Sequence, residues 1–314
     1  MKNKKNKHKK ILLIFLLILS GAKTYAQYDP MFTQYMFNEM YINPAYAGSR
    51  DNVSATMLYR NQWLGLEGAP KTETFSIHGP LRSQKIGVGL NVMNEEIGVT
   101  HNLGIFGNYA YRIRMGEGHF SLGLQAGIIS HQERFSEIKT ADPNDKKFSA
   151  NTPNLILPNA GFGIYYYTEK YYAGLSIPRL IENKIDVSKS DMVTNSANTK
   201  NWHYFFTGAY VFDLTEDFKL KPCVMAKIVN GAPLEFDINA NLLVKEFWWI
   251  GAGYRTGDAI TFLTSFQLTR QLRLGYSYDY TTTLLQSYTN GTHEITLGYD
   301  FSLDKKRVVT PRLF

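Results

Sequence analysis

Cysteine is almost absent from this sequence, since Cys223 is the single one among 314 residues. One thiol cannot close a disulfide within the chain, and it cannot supply a four-cysteine metal site. We therefore expect packing and backbone hydrogen bonds, not covalent cross-links, to hold the fold together.

Long apolar runs are scarce as well. After residue 26 no stretch approaches the roughly 18 consecutive apolar residues that indicate a transmembrane helix. Helical periodicity is also rare, although aromatic residues make up 14% of the chain. These absences exclude a helical membrane protein and argue against a bundle of amphipathic helices.

The first 26 residues differ in composition from the rest. Six lysines within residues 1–10 precede a nine-residue apolar run, Ile11–Leu19, and small and polar residues follow as far as Ala26. This is the order of a secretory signal peptide. A membrane-spanning helix would need roughly 20 apolar residues. We expect residues 1–26 to be a signal peptide that is cleaved after Ala26. Because no cysteine follows the cleavage site, the mature N-terminus at Gln27 should carry no lipid.

Acidic residues are missing from this leader, and that changes the charge of the mature chain. The full sequence has 34 Lys+Arg and 27 Asp+Glu, a net charge of +7. Residues 1–26 contain seven lysines and no acid, so the remaining chain carries equal numbers of basic and acidic residues. Without a basic surplus, nothing indicates nucleic acid as a partner.

Apolar and polar residues alternate along most of the remaining chain. In residues 234–242, for example, apolar residues alternate with Glu235, Asp237, Asn239 and Asn241. Alternation with period two predicts strands that have two different faces. Charges and glycines on the polar face suit a wet or crowded lumen, and aromatic residues gather near strand ends as in the girdles of outer-membrane barrels.

Marking every alternating run predicts fourteen strands within residues 53–303. An even number is what a bacterial outer-membrane barrel needs. We therefore predict an all-β fold, a transmembrane antiparallel β-barrel of about 14 strands. The predicted strands are 53–62, 71–81, 85–94, 99–114, 118–131, 155–168, 170–180, 201–213, 217–229, 233–244, 247–256, 258–270, 271–280 and 291–303.

The lengths of the predicted connections support a membrane barrel. The longest, 132–154, 181–200 and 281–290, all follow odd-numbered strands and so emerge at one rim. Short periplasmic turns and long external loops are typical of outer-membrane barrels, whereas a soluble sandwich does not predict this asymmetry. The strand parity also predicts that Lys227 and Glu235 both face the lumen and lie close together across a hairpin.

Signals of enzyme chemistry are weak. The histidines lack a metal-binding spacing, and His293-Glu294 has no second histidine to complete an H-E-x-x-H site. Gly251–Gly257 loosely resembles a dinucleotide loop but lies within a predicted strand. Asp142–Asp145 could bind calcium, although an exposed turn is the better interpretation. We expect no enzyme activity and no cofactor, and an outer-membrane hydrolase with residues on distant strands stays an open, unsupported alternative.

Residues 27–52 precede the predicted barrel and show no strand alternation. One face of a short helix would carry Phe32, Tyr35, Met36, Met40 and Tyr41. Asn43-Pro44 would end this helix, because proline disfavours a helical residue before it. Two interpretations remain open: a packing segment that plugs the lumen or covers its periplasmic mouth, and a docking epitope for a periplasmic partner.

The motifs of this N-terminal segment resemble those of a known family, the PorP/SprF outer-membrane proteins of the type IX secretion system. They are Gln27–Pro30, Gln34–Asn38 and Asn43–Gly48. The other motifs that resemble the family are Arg60–Trp63, Pro70–Thr72, Leu274–Asp279, His293–Glu294, Leu297–Phe301 and Thr310–Phe314. The resemblance extends over the whole predicted mature chain.

This resemblance implies an outer-membrane protein of Bacteroidetes-type bacteria that helps the type IX machinery to deliver or anchor surface proteins, including adhesins of gliding motility. Its implied partners are a secreted surface protein or adhesin, periplasmic type IX components and outer-membrane lipid. We expect a periplasmic tail at 304–314. The candidate partner-binding residues are Tyr35, Phe37, Asn43, Pro44, Tyr46 and Arg312. The alternative function is an outer-membrane channel for small or hydrophobic molecules.

Overall fold

The computed structural model of the protein describes residues 30–50, 52–138, 151–186, 192–196, 199 and 202–301. The predicted signal peptide, the tail and Asp142–Asp145 lie outside the described residues. Among the described residues, no helical segment has the length and hydrophobicity of a membrane span. The strands are β1 (Val53–Asn61), β2 (Lys71–Pro80), β3 (Ile86–Ile97), β4 (Thr100–Met115), β5 (Gly118–Glu133), β6 (Leu155–Tyr167), β7 (Tyr171–Ile177), β8 (Glu182–Asp186), β9 (Met192–Ser196), β10 (His203–Tyr210), β11 (Phe212–Asp213), β12 (Phe218–Val229), β13 (Glu235–Val244), β14 (Trp248–Arg255), β15 (Ala259–Gln267), β16 (Leu272–Thr281) and β17 (Thr292–Phe301).

The strands form a closed antiparallel barrel. Sequential neighbours pair from β1 to β7 and from β12 to β17, β1 pairs with β17, and β10 pairs with both β7 and β12. The two-residue strand β11 continues β10 after Val211 and pairs with β12. Counting β10 and β11 as one position, the barrel has fourteen strands, as the sequence predicts.

Two details of the region between β7 and β12 differ from the prediction. The predicted strand 170–180 ends at Ile177, because Pro178 has no N–H with which to continue the ladder. The predicted loop 181–200 contains a separate hairpin, β8–β9, in which Glu182 pairs with Ser196. Its residues show no clear alternation, so a period-two search misses it.

The two rims of the barrel differ in the way that the sequence predicts. The connections 81–85, 116–117, 168–170, 214–217, 245–247 and 268–271 form what we call the short-turn rim. The three longest connections run from β5 to β6, from β7 to β10 and from β16 to β17, and each begins and ends at the opposite, long-loop rim. In outer-membrane barrels the short turns are periplasmic and the long loops are external.

Side-chain parity separates an apolar outer wall from a polar lumen. Met57, Leu124 and Ile238 are each more than half exposed and point outward. Lys227 pairs with Glu235 in the β12–β13 register and is only 1% exposed, with its amine 5.8 Å from the inward-facing ring of Phe205. The predicted inward parity of Lys227 is therefore confirmed.

Adjacent aromatic residues divide between the two faces. At the short-turn rim the outward rings include two stacked pairs, Tyr171 with Tyr210 and Trp248 with Phe266. Such rings suit the membrane interface, where aromatic girdles form. The neighbouring Tyr172 and Trp249 are buried in the lumen, because successive strand residues point to opposite faces. The predicted girdle thus contains only alternate members of each aromatic run.

The N-terminal segment, defined here as residues 30–50, is not one helix. It contains a 3₁₀ turn at Tyr35–Phe37, a single α-helical turn α1 at Glu39–Ile42 and a second 3₁₀ turn at Pro44–Tyr46. The single helix expected from the apolar spacing is interrupted at Asn38. The side-chain nitrogen of Asn38 donates to Thr74 of β2, and its side-chain oxygen accepts from Ser76 of the same strand. The predicted end at Asn43-Pro44 is confirmed, since α1 stops at Ile42.

Candidate functional site

The N-terminal segment passes through the barrel interior. Near the short-turn rim, Arg50 forms an ion pair of 2.9 Å with Asp300, close to the start of β1. In the half of the barrel nearer the long-loop rim, Thr33 donates its backbone N–H to Glu294 of β17. The residues between them are almost all buried. The site is therefore built from this segment and the inward-facing side chains of the wall.

Five buried charged residues surround the end of the segment that is nearer the long-loop rim, and we call them the charge cluster. They are Arg60 of β1, Asp237 of β13, Arg255 of β14, Asp279 of β16 and Glu294 of β17. Arg60 lies 2.9 Å from Asp279 and 3.1 Å from Glu294. Arg255 lies 2.9 Å from Asp237 and 3.3 Å from Asp279. The ion pairs therefore link five strands, and they join β1 to four strands near the other end of the described chain.

The charge cluster contains three carboxylates and two guanidinium groups, so it has one negative charge in excess. This excess charge attracts hydrogen-bond donors of the segment. The carboxylate of Glu294 accepts hydrogen bonds from the backbone N–H groups of Thr33 and Gln34, at 3.0 and 2.8 Å. The hydroxyl of Thr33 donates to Asp279 at 2.6 Å. Backbone N–H groups thus compensate the extra negative charge, and hydrogen bonds to charged groups are among the stronger ones in proteins.

Cationic side chains hold the middle of the segment through one aromatic ring. The guanidinium carbon of Arg273 lies 4.3 Å from the ring centre of Phe37, and the amine of Lys221 lies 5.9 Å from it. Both distances are within the range of cation–π attraction. Two further contacts connect α1 to the wall: the Tyr172 hydroxyl donates to Glu39, and Thr207 donates to the same carboxylate at 3.4 Å.

Glycines in the wall let the end of the segment nearer the short-turn rim approach the strands closely. A Cβ atom at Gly123 of β5 would lie 2.1 Å from the backbone nitrogen of Ala45. A Cβ atom at Gly87 of β3 would lie 1.9 Å from the carbonyl oxygen of Ala47. Both clashes involve backbone, which cannot rotate away as a side chain can. The segment therefore fits its wall only because these positions have no side chain.

We expect Gly123→Ala to lower the free energy of unfolding by about 1–3 kcal/mol, as over-packing of a close-packed interior does. The new methyl group would displace the backbone around Ala45. Urea unfolding of the protein refolded in lipid vesicles measures the change. The matched control is Gly107→Ala on β4, where the added Cβ meets no atom closer than 3.9 Å, the carbonyl oxygen of Ala126. Equal effects of the two substitutions would contradict the packing argument.

The structure brings together five of the six candidate partner-binding residues. Tyr35, Phe37, Asn43, Pro44 and Tyr46 are all buried among inward-facing side chains of the barrel. Asn43, for instance, donates to the carbonyl oxygen of Ile164 in β6. The sixth, Arg312, lies outside the described residues. That these residues bind a partner stays a prediction, and the five would become accessible only if the segment left the lumen.

Sequence reasoning missed the charge cluster as a unit. Parity placed Asp237, Asp279 and Glu294 on the polar faces of their strands, and Arg60 belonged to a recognised motif. Nothing in one strand shows that its charge meets charges from four others. A usable signal is their common position, because each lies near the strand end at the long-loop rim.

Metal-binding geometry is not found in the part of the chain that the structure describes. No group of three or more His, Cys, Asp or Glu side chains there is placed to bind a metal ion. Cys223 is buried and forms no disulfide.

A closed antiparallel barrel with an apolar outer wall and a polar lumen defines an integral β-barrel protein of the outer membrane. The sequence model of one family, described as type IX secretion system membrane protein PorP/SprF, matches residues 24–299. The chain belongs to this family, as its motifs suggest. No curated protein matches the chain.

Several solved structures have a similar fold. The monoaromatic hydrocarbon channel CymD has a TM-score of 0.50 and 10% identity, over 84% of this chain and 93% of that chain. The outer membrane protein Omp33 of Acinetobacter baumannii has a TM-score of 0.48 and 8% identity, over 81% of this chain and 100% of that chain. A FadL homologue of Pseudomonas aeruginosa has a TM-score of 0.48 and 9% identity, over 87% of this chain and 95% of that chain. At such low identity the likeness concerns the fold alone.

Proposed function

We propose that this type IX secretion protein delivers or anchors secreted surface proteins, such as gliding adhesins, by protein–protein recognition and without enzymatic activity. The observation that carries the proposal is the path of residues 30–50 through the lumen. Their contacts with the wall extend from Arg50 near the short-turn rim to Thr33 near the charge cluster. A barrel occupied in this way is suited to holding a partner at its rims and poorly suited to passing solutes.

The two rims suit different partners. In the orientation usual for outer-membrane barrels, the long loops meet the secreted surface protein or adhesin outside the cell. The short-turn rim, with the residues beyond β17, then faces periplasmic components of the type IX machinery. The apolar outer wall meets outer-membrane lipid. In this proposal the segment acts as a plug that keeps the barrel closed while it serves as an attachment point.

A channel for small or hydrophobic molecules is the second candidate. One observation favours it: a mostly apolar cavity lies in the half of the lumen nearer the long-loop rim. For this protein to conduct, the N-terminal segment would have to move, because it fills the route to the other rim. The channel thus requires a conformational change that the recognition function does not.

Deletion of the gene in its own host separates the two candidates. We expect the cognate surface protein to disappear from the cell surface, because its outer-membrane attachment point is lost. Surface labelling of intact cells followed by mass spectrometry measures this, and a plasmid copy of the gene should restore the protein. Uptake of aromatic hydrocarbons is measured in the same strains and should not change. A complete surface proteome together with lost uptake would establish the channel instead.

A further inference from the structure

A cavity in the lumen has a lining that suits a particular class of ligand. Its floor is formed by Met31, Phe32 and Ile42 of the N-terminal segment. Its wall includes Phe106 of β4 and Phe205 of β10. The body of a ligand here would therefore be apolar.

One side of the cavity lies where the barrel wall is irregular. Pro178 and Arg179, directly after the end of β7, line this side. After β7 ends, non-strand backbone continues to bond its neighbour β6: the N–H of Leu180 donates to the carbonyl oxygen of Ala160 at 2.8 Å. This position belongs to the long-loop rim, so a ligand would arrive from the external side.

Two carboxamide groups in the lining have unused hydrogen-bonding capacity. Asn91 of β3 and Gln125 of β5 are 2% and 6% exposed and both line the cavity. Among the described residues, neither side-chain oxygen has a hydrogen-bond partner. The Asn91 nitrogen donates to the carbonyl oxygen of Met40, which leaves the oxygen as its free atom.

A third carboxamide lies between these two on the intervening strand. Asn108 of β4 pairs with Gln125 in register and is 5% exposed. Within the described part of the chain, both its nitrogen and its oxygen lack a partner. Asn108 is not itself part of the cavity lining. Native proteins bond nearly all buried polar groups, so the two unbonded oxygens of Asn91 and Gln125 in the lining indicate a ligand that donates hydrogen bonds.

A peptide fits these requirements better than a hydrocarbon. A hydrocarbon would fill the apolar part of the cavity but would leave the amide oxygens buried and unbonded, which is unfavourable. A peptide supplies N–H and C=O groups beside an apolar side chain. We propose that this cavity is a docking site for a short peptide segment of the partner protein, with an apolar side chain inserted and its backbone bonded to Asn91 and Gln125. The inference rests on the proposed function of protein recognition.

The test uses the purified full-length mature protein in detergent micelles and two probes. The first is an N-acetylated, C-amidated Ala-Phe-Ala tripeptide, and the second is ethylbenzene, which has a similar apolar group without amides. We expect the tripeptide to bind the unmodified protein and to bind Gln125→Met about tenfold more weakly, because one buried hydrogen bond is lost. Isothermal titration calorimetry or ligand-observed NMR measures both affinities.

Gln267→Met provides the matched control, since it makes the same chemical change at the short-turn rim and should leave tripeptide binding unchanged. Asn91→Leu serves as a second lining variant if Gln125→Met does not fold. Equal tripeptide affinity in the lining and control variants would overturn the proposal. So would ethylbenzene binding that tightens in Gln125→Met, which would identify a hydrocarbon site.

Deletion of residues 27–29 tests whether the chain itself occupies the cavity. If the tripeptide binds only after this deletion, the protein's own N-terminal residues fill the site and the proposal is wrong. These outcomes are independent of the gene-deletion experiment. Loss of the surface protein in the deletion strain, with no peptide binding here, would reject this docking site and leave the recognition function standing.

Discussion

Replacing Arg255 with methionine is expected to lower the free energy of unfolding by about 3–5 kcal/mol, the usual effect of removing one partner from a buried ion pair. The Arg255 guanidinium is fully buried and contacts Asp237 and Asp279 at 2.9 and 3.3 Å. Methionine is similar in length and fills the same space, so the change removes charge more than volume. Asp237 would then lose its cation, and Asp279 would keep only Arg60, which it shares with Glu294. The desolvation of these carboxylates would no longer be fully offset. Urea titration of the protein refolded in lipid vesicles measures the effect.

Two further variants make this prediction specific. Lys170→Met removes the cation of an exposed ion pair with Asp213, 3.1 Å long, and should change stability little because solvent screens such pairs. Adding Asp237→Asn and Asp279→Asn to Arg255→Met removes the uncompensated charges and should recover most of the lost stability. Equal destabilisation by Arg255→Met and Lys170→Met would show that the charge cluster does not hold the barrel together.

Removing residues 30–48 is expected to turn a closed barrel into an open channel. Barrels of eight strands are filled by their own side chains, whereas those of 16 to 18 strands enclose an aqueous channel. Fourteen strands lie close to the latter, and the inward-facing residues here are polar. The deletion keeps Arg50 and its ion pair with Asp300. In planar lipid bilayers we expect discrete current steps from the deletion variant and none from the full-length protein.

The deletion removes the two backbone N–H groups that donate to Glu294 in the intact chain, and this loss could prevent folding. A full-length variant therefore serves as a second test. In the double variant Gly87→Val, Gly123→Val, the new side chains should collide with the backbone of the segment and displace its part nearer the short-turn rim. This variant should conduct intermittently. The same substitution at Gly107, on the outer face, is the control and should stay closed. A folded deletion variant without current would mean that the long loops, and not the segment, close the barrel.

The deletion also bears on the candidate partner-binding residues in the segment. Tyr35, Phe37 and Tyr46 pack inside the barrel in this structure. If a partner uses them, it must compete with the charge cluster and with the cations around Phe37. Variants that loosen the segment, such as Arg255→Met, should then strengthen partner binding. If the partner docks at the cavity near the long-loop rim instead, the same variants should weaken binding, because Met31 and Phe32 form the cavity floor.

Much of the barrel could be predicted from the sequence because its signals are local. Alternation within a strand places Asp237 and Asn239 inward and Ile238 outward, whatever the neighbouring strands are. The lengths of the connections place the long loops at one rim without any knowledge of tilt or register. The β8–β9 hairpin shows the limit of this approach, because it lies outside the membrane wall and has no two-sided environment to impose alternation.

The order of the amino acids suffices to predict the two faces of each strand and the order of short and long connections, and it leads us to expect an export signal at the start. What the inward faces do together depends on the folded barrel. Closing the barrel brings Arg60 within 3.1 Å of Glu294, across 234 residues of chain. The register of β3, β4 and β5 sets the carboxamides of Asn91 and Gln125 beside one cavity. Such contacts depend on register and on the path of residues 30–50 through the lumen, and these are settled by the packing of all the strands at once.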